Sequence, residues 1–283
     1  MIRGLLCDLD GVVYRAHAAC PGAVEGLASA RAAGVQVLFM TNNASRPPGT
    51  VADQLRELGV PADETDVLTA SQVAAEELVE RRPDLLASDM VLTVGGPGVR
   101  LALQEAGFST LDPGEVARRA QEGPEQGEQA PGERIGAVVQ GYGPEVDVAA
   151  LTEATYAIRA GATWVATNDD ATLPTDRGLA PGNGALVRAV AHATGAEPVV
   201  TGKPHAPAYR VALRRLGLPL DQVLMVGDRS DTDIAGARAV GLANALVLTG
   251  VSSRDEAESA VPEQRPDHVA GTIPELAHLW GGR

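Results

Sequence analysis

The strongest constraint on how this chain folds is a pattern that recurs along it: a short apolar run stops on a polar residue, and a stretch with helical spacing follows. Ile2 to Cys7 stops at Asp8 and Val35 to Met40 stops at Thr41, with a helical stretch near Ala23 to Ala33 and Gly34 between them. Late in the chain Pro198 to Val200 leads to Thr201, Val223 to Val226 leads to Gly227-Asp228, and Ala245 to Leu248 leads to Thr249. Apolar runs this short read as buried strands. Strands alternating with helices imply an α/β fold, a parallel sheet covered on both faces. Such sheets hold ligands just beyond the carboxyl ends of their strands, where these polar residues fall.

The middle of the chain repeats the pattern on its own account. Met90 to Val94 precedes Gly95-Gly96, Ile135 to Gln140 follows, then a helical stretch from Val146 to Arg159 and a run from Trp164 to Thr167. This predicts an inserted α/β domain over 82–178, with 1–81 and 179–283 forming the main domain. The 283 residues, 45% of them hydrophobic, suffice for two cores. Gly114 to Arg134 is polar, acidic and punctuated by Gly and Pro, which predicts a mobile loop.

Charge and cysteine content remove whole classes of function. Lys+Arg 23 against Asp+Glu 37 gives a net charge of −14, unsuited to nucleic acid or an anionic membrane, which need clustered positive charge. The N-terminal apolar run is broken by two aspartates, so neither a signal-peptide core nor a spanning helix is expected. Cys7 and Cys20 are too few for a disulfide framework and lack metal-ligand spacing, which fits a reducing cytoplasm.

Within that frame, Asp8-Leu9-Asp10-Gly11 sets two carboxylates two residues apart at a strand end. In a continuing strand both face the same way, one placed to attack an electrophile or ligate a metal, the other to act as acid and base. Thr41-Asn42-Asn43 offers a hydroxyl, amides and successive backbone N–H groups to phosphate oxygens, or simply a helix cap. Thr201-Gly202-Lys203-Pro204 supplies one lysine after a strand. Gly227-Asp228-Arg229-Ser230-Asp231-Thr232-Asp233 supplies acids that suit an oxygen-ligand site for Mg²⁺, or an acidic cap on the following helix.

The order and intervals of these motifs resemble those of the haloacid dehalogenase superfamily. The stretches CDLDGVVYR, FMTNNASR, VATNDDATLP, APGNGALVRAV, TGKPHAPAY, MVGDRSDTDIAGA and VLTGVSS are similar to its nitrophenyl phosphatase, phosphoglycolate phosphatase and pyridoxal phosphate phosphatase subfamily, and the segment TNDDATLPTDRGLAPGNG is especially similar to actinobacterial glycerol 3-phosphate phosphatases and their phosphoglycolate phosphatase relatives. The resemblance implies a Rossmann-like core with an α/β cap, and Mg²⁺ as cofactor. It implies Asp8 as nucleophile, Asp10 as general acid and base, and Thr41, Asn42, Asn43 and Lys203 as phosphate holders. Asp8, Asp10 through its carbonyl, and Asp228 are the implied metal ligands, with Asp233 behind them orienting a metal-bound water. In the cap, 169–174 falls where the family has its substrate loop; Leu173 stands where pyridoxal phosphate members carry histidine and where phosphoglycolate and glycerol phosphate members both carry leucine. The implied partner is a small phosphomonoester, with a homodimer left open.

Other classes share parts of this pattern. A phosphoaspartate receiver domain also sets acids, a Thr and a Lys at strand ends, although this chain is far longer and carries an insertion that suits a lid. A phosphomutase and a non-catalytic binding protein are the remaining alternatives. His17, His192 and His278 show no ligand spacing and read as ordinary residues, while His205, near Lys203, is read as a solvated loop histidine with an approach to the site as the alternative.

Overall fold

A computed structural model of the chain describes residues 1–122, 134–175 and 177–281. Two compact units emerge: Met1–Thr41 with Pro48–Leu68 and Lys203–Arg283, and Asn42–Pro47 with Thr69–Gly202.

The first unit is built on a six-stranded sheet in the order His268–Ala270, Ala243–Val247, Val223–Gly227, Gly4–Asp8, Gln36–Thr41, Val67–Thr69. The central pairings are parallel, with Cys7 opposite Val226 on one side and Phe39 on the other. Strand Gly4–Asp8 is buried throughout, as expected of a run covered on both faces. The helix Ala23–Ala32 buries Ala23, Gly26, Leu27 and Ala30, the spacing of one helical stripe, in the core that holds Leu5, Cys7 and Phe39.

The second unit has a five-stranded sheet in the order Val199–Val200, Thr163–Ala166, Ile135–Gln140, Met90–Val94, Ser109–Leu111, again with parallel pairings. Alternation along its strands divides two cores. Val91, Ala137, Val139 and Val165 pack with the helices Ala70–Arg81 and Pro97–Glu105. Leu92, Val138, Trp164 and Ala166 pack with Val148–Arg159 and Asn183–Thr194. A two-stranded hairpin, Thr172–Thr175 with Gly178–Pro181, completes the unit.

Three expectations need correction. The inserted unit is not confined to 82–178: Ala70, Ala74 and Leu78 belong to the core around Val91 and Val99, and Val187 and Val190 to the core around Leu92. The run ending before Thr201 does not join the first sheet, because Val199 and Val200 pair with Val165 and Ala166. The span 114–134 is not wholly a loop. Its beginning lies in the helix Pro113–Glu122, where Glu115 N–H donates to Asp112 Oδ1 (2.8 Å) and Asp112 N–H to Glu115 Oε2 (3.0 Å), a reciprocal cap. Residues 123–133 lie outside the described residues. Among the described residues no helix is long and apolar enough to cross a membrane.

Candidate active site

In the first unit Asp8, the end of its strand, pairs in register with Met40, and Cys7 with Val226. Asp8, Thr41 and Gly227-Asp228 therefore reach the same edge of the sheet. The strand does not continue beyond Asp8. The N–H groups of Val12, Val13 and Tyr14 converge on the Leu9 carbonyl (3.3, 2.8 and 3.1 Å), which closes a tight turn. Gly11 adopts φ 84° within it, and a Cβ there would run into the Asp228 carboxylate. Asp8 is buried and Asp10 exposed, so the expectation of a shared strand face for the two acids gives way to a strand end followed by a turn.

Lys203 is the centre of a buried charged cluster. Its Nζ lies 2.6 Å from Asp8 Oδ1 and donates to Asp233 Oδ1 at 2.8 Å. Asp233 Oδ2 accepts the backbone N–H groups of Asp228 and Arg229, both at 3.2 Å, so both of its oxygens orient neighbours. Asp228 Oδ2 accepts the Val251 N–H at 2.7 Å, whereas its Oδ1 is buried and accepts no hydrogen bond. Carboxylate oxygens of Asp8, Asp228 and Asp233 lie within 4.8 Å of one another. The third side-chain carboxylate of this cluster is thus that of Asp233; Asp10 is not among its members.

The cluster sets three carboxylates around one ammonium, and the titration of Asp8, Asp228 and Lys203 reflects it. Burial, then Asp233, pushes the Asp8 carboxyl well above the usual range against the pull of Lys203. Burial and Asp233 likewise raise Asp228 to about 6 despite the Val251 N–H. Burial acts to lower Lys203, but Asp233 and Asp8 outweigh it and hold the ammonium well above its ordinary value. The cluster is short of positive charge. A divalent cation bound through Asp8 and the unpartnered Asp228 oxygen fits both the donor chemistry, hard oxygens, and the charge deficit.

The other residues singled out from the sequence are not members of the carboxylate cluster. Thr41 is buried at the end of its strand in the first unit. Asn42 and Asn43 belong to the second: Asn42 donates to Asp170, and Asn43 Oδ1 accepts from the backbone N–H (2.9 Å) and hydroxyl (2.8 Å) of Ser45. Leu173 pairs with Ala180 in the hairpin and is half-buried.

Comparison with known proteins matches residues 5–109 to a haloacid dehalogenase-like hydrolase model and residues 200–276 to a second, HAD-hydrolase-like model. The chain is 42% identical over 272 residues to a D-glycerol 3-phosphate phosphatase of Mycobacterium tuberculosis, covering 96% of this chain and 70% of that protein. It is 33% identical over 273 residues to a 5′-nucleotidase of Bacillus subtilis, covering 96% of each. A crystal structure of a glycerol phosphate phosphatase from M. tuberculosis in complex with magnesium superposes with a TM-score of 0.84 at 40% identity, covering 99% of this chain and 78% of that one.

The chain is an enzyme of the haloacid dehalogenase-like hydrolase family.

For a haloacid dehalogenase-like hydrolase, two supports of its charged cluster lie beyond what sequence reading singles out. The buried hydroxyl of Tyr209, shared between the Thr232 and Asp233 carbonyls (3.0 Å each), steadies the turn that carries Asp233. A tyrosine six residues after Lys203 in an apolar helical stripe is its only signal. The Val251 N–H on Asp228 has none, being backbone.

Proposed function

We propose that the chain is a Mg²⁺-dependent phosphomonoesterase that hydrolyses a small phosphorylated metabolite, glycerol 3-phosphate foremost, through an aspartyl phosphate on Asp8. The observation that carries this reading is the Lys203 ammonium locked between Asp8 and Asp233 beside the unpartnered oxygen of Asp228. When bound by Asp8, Asp228 and the Asp10 carbonyl, Mg²⁺ supplies positive charge that lets an anionic nucleophile meet an anionic phosphate.

The remaining work belongs to the chain's own side chains. Lys203 screens the phosphate, and Thr41 with the N–H groups of Asn42 and Asn43 orients its oxygens. The Asp8 carboxylate forms a bond to phosphorus as the bond to the leaving alkoxide breaks, and Asp10 gives that alkoxide a proton. Asp10 then takes a proton from water as the water oxygen bonds to phosphorus, phosphate departs, and Asp8 is free again. Asp233 holds Lys203 and the Asp228 backbone in place.

Leu173 reads the leaving group: an apolar side chain suits a three-carbon polyol and offers no partner to the polar groups of a pyridine ring. The glycerol phosphate phosphatase relatives support this choice, and the nucleotidase relative makes nucleoside monophosphates the first competitor.

Phosphate release from glycerol 3-phosphate, phosphoglycolate, pyridoxal phosphate, sugar phosphates and nucleoside monophosphates, with Mg²⁺ and with EDTA, tests the proposal. Many turnovers, highest kcat/KM on glycerol 3-phosphate and silence in EDTA are expected. A single phosphate retained per chain would instead identify a receiver. A higher kcat/KM on another substrate would overturn the glycerol 3-phosphate assignment.

A further inference from the structure

Within the second unit a chain of hydrogen bonds runs from the residue that follows Thr41 to the start of the helix Asn183–Thr194. The Asn42 amide donates to the Asp170 carboxylate, 3.3 Å to Oδ1 and 3.1 Å to Oδ2. The Asn42 backbone carbonyl accepts from Asn168 Nδ2 at 2.7 Å. Asn168 Oδ1 in turn accepts the Asp170 N–H at 3.2 Å, and the Asn168 carbonyl accepts from Asn183 Nδ2 at 2.7 Å. Two further backbone bonds, Gly182 N–H to Ala171 O (3.0 Å) and Gly184 N–H to Asp170 O (2.8 Å), bolt this loop to the helix start.

Asn42 is therefore gripped at its carbonyl and its amide. Its Oδ1 also lies close against Gly202, where a Cβ would meet it at 2.8 Å. The gripped residue thus directly follows Thr41 and touches the residue that directly precedes Lys203. A neutral acceptor would complete a purely structural bond. A carboxylate makes a charge-assisted bond about twice as strong, at the cost of a negative charge beside a residue read as an anion binder. Such an expense points to orientation of the amide.

We infer that Asp170, together with Asn168, is a positioning residue for Asn42, fixing the backbone N–H donors that hold the substrate's phosphate. This rests on the reading of Thr41, Asn42 and Asn43 as phosphate holders. Asp170 stands three residues before Leu173, so the loop that reads the leaving group also sets the phosphate-holding donors, and the two recognitions are coupled.

Inorganic phosphate as a competitive inhibitor of nitrophenyl phosphate hydrolysis is the probe. Asp170→Ala is expected to raise the phosphate Ki and the KM together by about tenfold, the effect of one charge-assisted hydrogen bond, with a smaller change in kcat and an unchanged Tm. Asp170→Asn, which keeps an acceptor oxygen, is expected to raise Ki only about threefold. In an Asn42→Ala background Asp170→Ala should have no further effect, because a residue that acts through another shows full coupling in a double-mutant cycle. A wild-type Ki in Asp170→Ala, or losses from the two substitutions that multiply, would overturn the inference while leaving the phosphatase reading intact. If Asp170→Ala does not fold, a wild-type Ki in Asp170→Asn overturns it equally. A wild-type protein that neither hydrolyses the ester nor is inhibited by phosphate would instead bring down the functional reading, and this inference with it.

Discussion

The two sheets follow the same grammar yet end their strands on different chemistry. In the first unit the residues at and beyond the strand ends include Asp8, Thr41 and Asp228, with Lys203 and Asp233 against them, all at most 7% exposed. In the second the buried polar residues at and beyond the strand ends are Gln140, Thr167, Asn168 and Thr201, all at most 4% exposed and all neutral, while Asp112 beyond Ser109–Leu111 is only half-buried. A buried amide is stabilised by a hydrogen bond, such as the one that the Asn42 carbonyl accepts from Asn168. Burying a carboxylate demands counter-charge, and the first sheet gathers more acids than its one lysine can balance. On the proposed function the charged edge supplies the reactivity, while the neutral edge supplies hydrogen-bonded geometry.

Substitutions that break the charged edge should therefore cost most. Asp8→Asn removes the proposed nucleophile at nearly constant shape and should lower kcat by roughly 10⁴-fold or more with the fold intact, measured by phosphate release and circular dichroism. Asp10→Asn should cost roughly 10³-fold in single-turnover cleavage of glycerol 3-phosphate but far less for nitrophenyl phosphate, whose leaving group needs little help from an acid. Equal losses on the two esters would remove Asp10 from the acid role. Asp233→Asn withdraws the carboxylate that holds Lys203 and the Asp228 and Arg229 N–H groups, and titration of activity with Mg²⁺ should show metal affinity reduced about 10- to 100-fold.

The second unit should respond more mildly. Leu173→Ala should cost on the order of 1–3 kcal/mol in kcat/KM for glycerol 3-phosphate and less for nitrophenyl phosphate; equal losses would mean that the residue packs the hairpin without reading substrate. Gln140→Leu probes the neutral edge itself. The Gln140 side chain is wholly buried and its amide makes no hydrogen bond, so a leucine should raise stability by roughly 1–3 kcal/mol and leave turnover nearly unchanged. A fall in Tm would show instead that the amide is bridged by buried water.

Legibility in the sequence follows the same division. Asp8 and Asp228 end apolar runs that can only be strands, and their placement at one sheet edge follows from that alone. Lys203 is legible as a residue but not by its strand: Val199 and Val200 pair in the other sheet, and three residues past Val200 the chain has entered the first unit, where the side chain meets Asp8 and Asp233. Periodicity marks Ala70–Arg81 as a helix without saying which sheet it covers, which is why the unit boundary falls earlier than 82. Asp10 is misplaced by assuming that a strand continues through a glycine-bearing turn. The acidic composition after Gly114 conceals a helix whose Asp112 and Glu115 spacing is itself a capping signal. What remains unreadable is backbone work, such as the Val251 N–H on Asp228, which no side chain announces.

The central claim, that the charged edge acts through a covalent phosphate on Asp8, is tested most directly by reductive trapping. Protein turning over glycerol 3-phosphate with Mg²⁺ is quenched with borohydride, which reduces an acyl phosphate to an alcohol, and the peptide containing Asp8 is examined by mass spectrometry. The account predicts homoserine at position 8, dependent on substrate and absent from Asp8→Asn. Continued phosphate release with position 8 unmodified in every quench, or with the modification on another carboxylate, would contradict it.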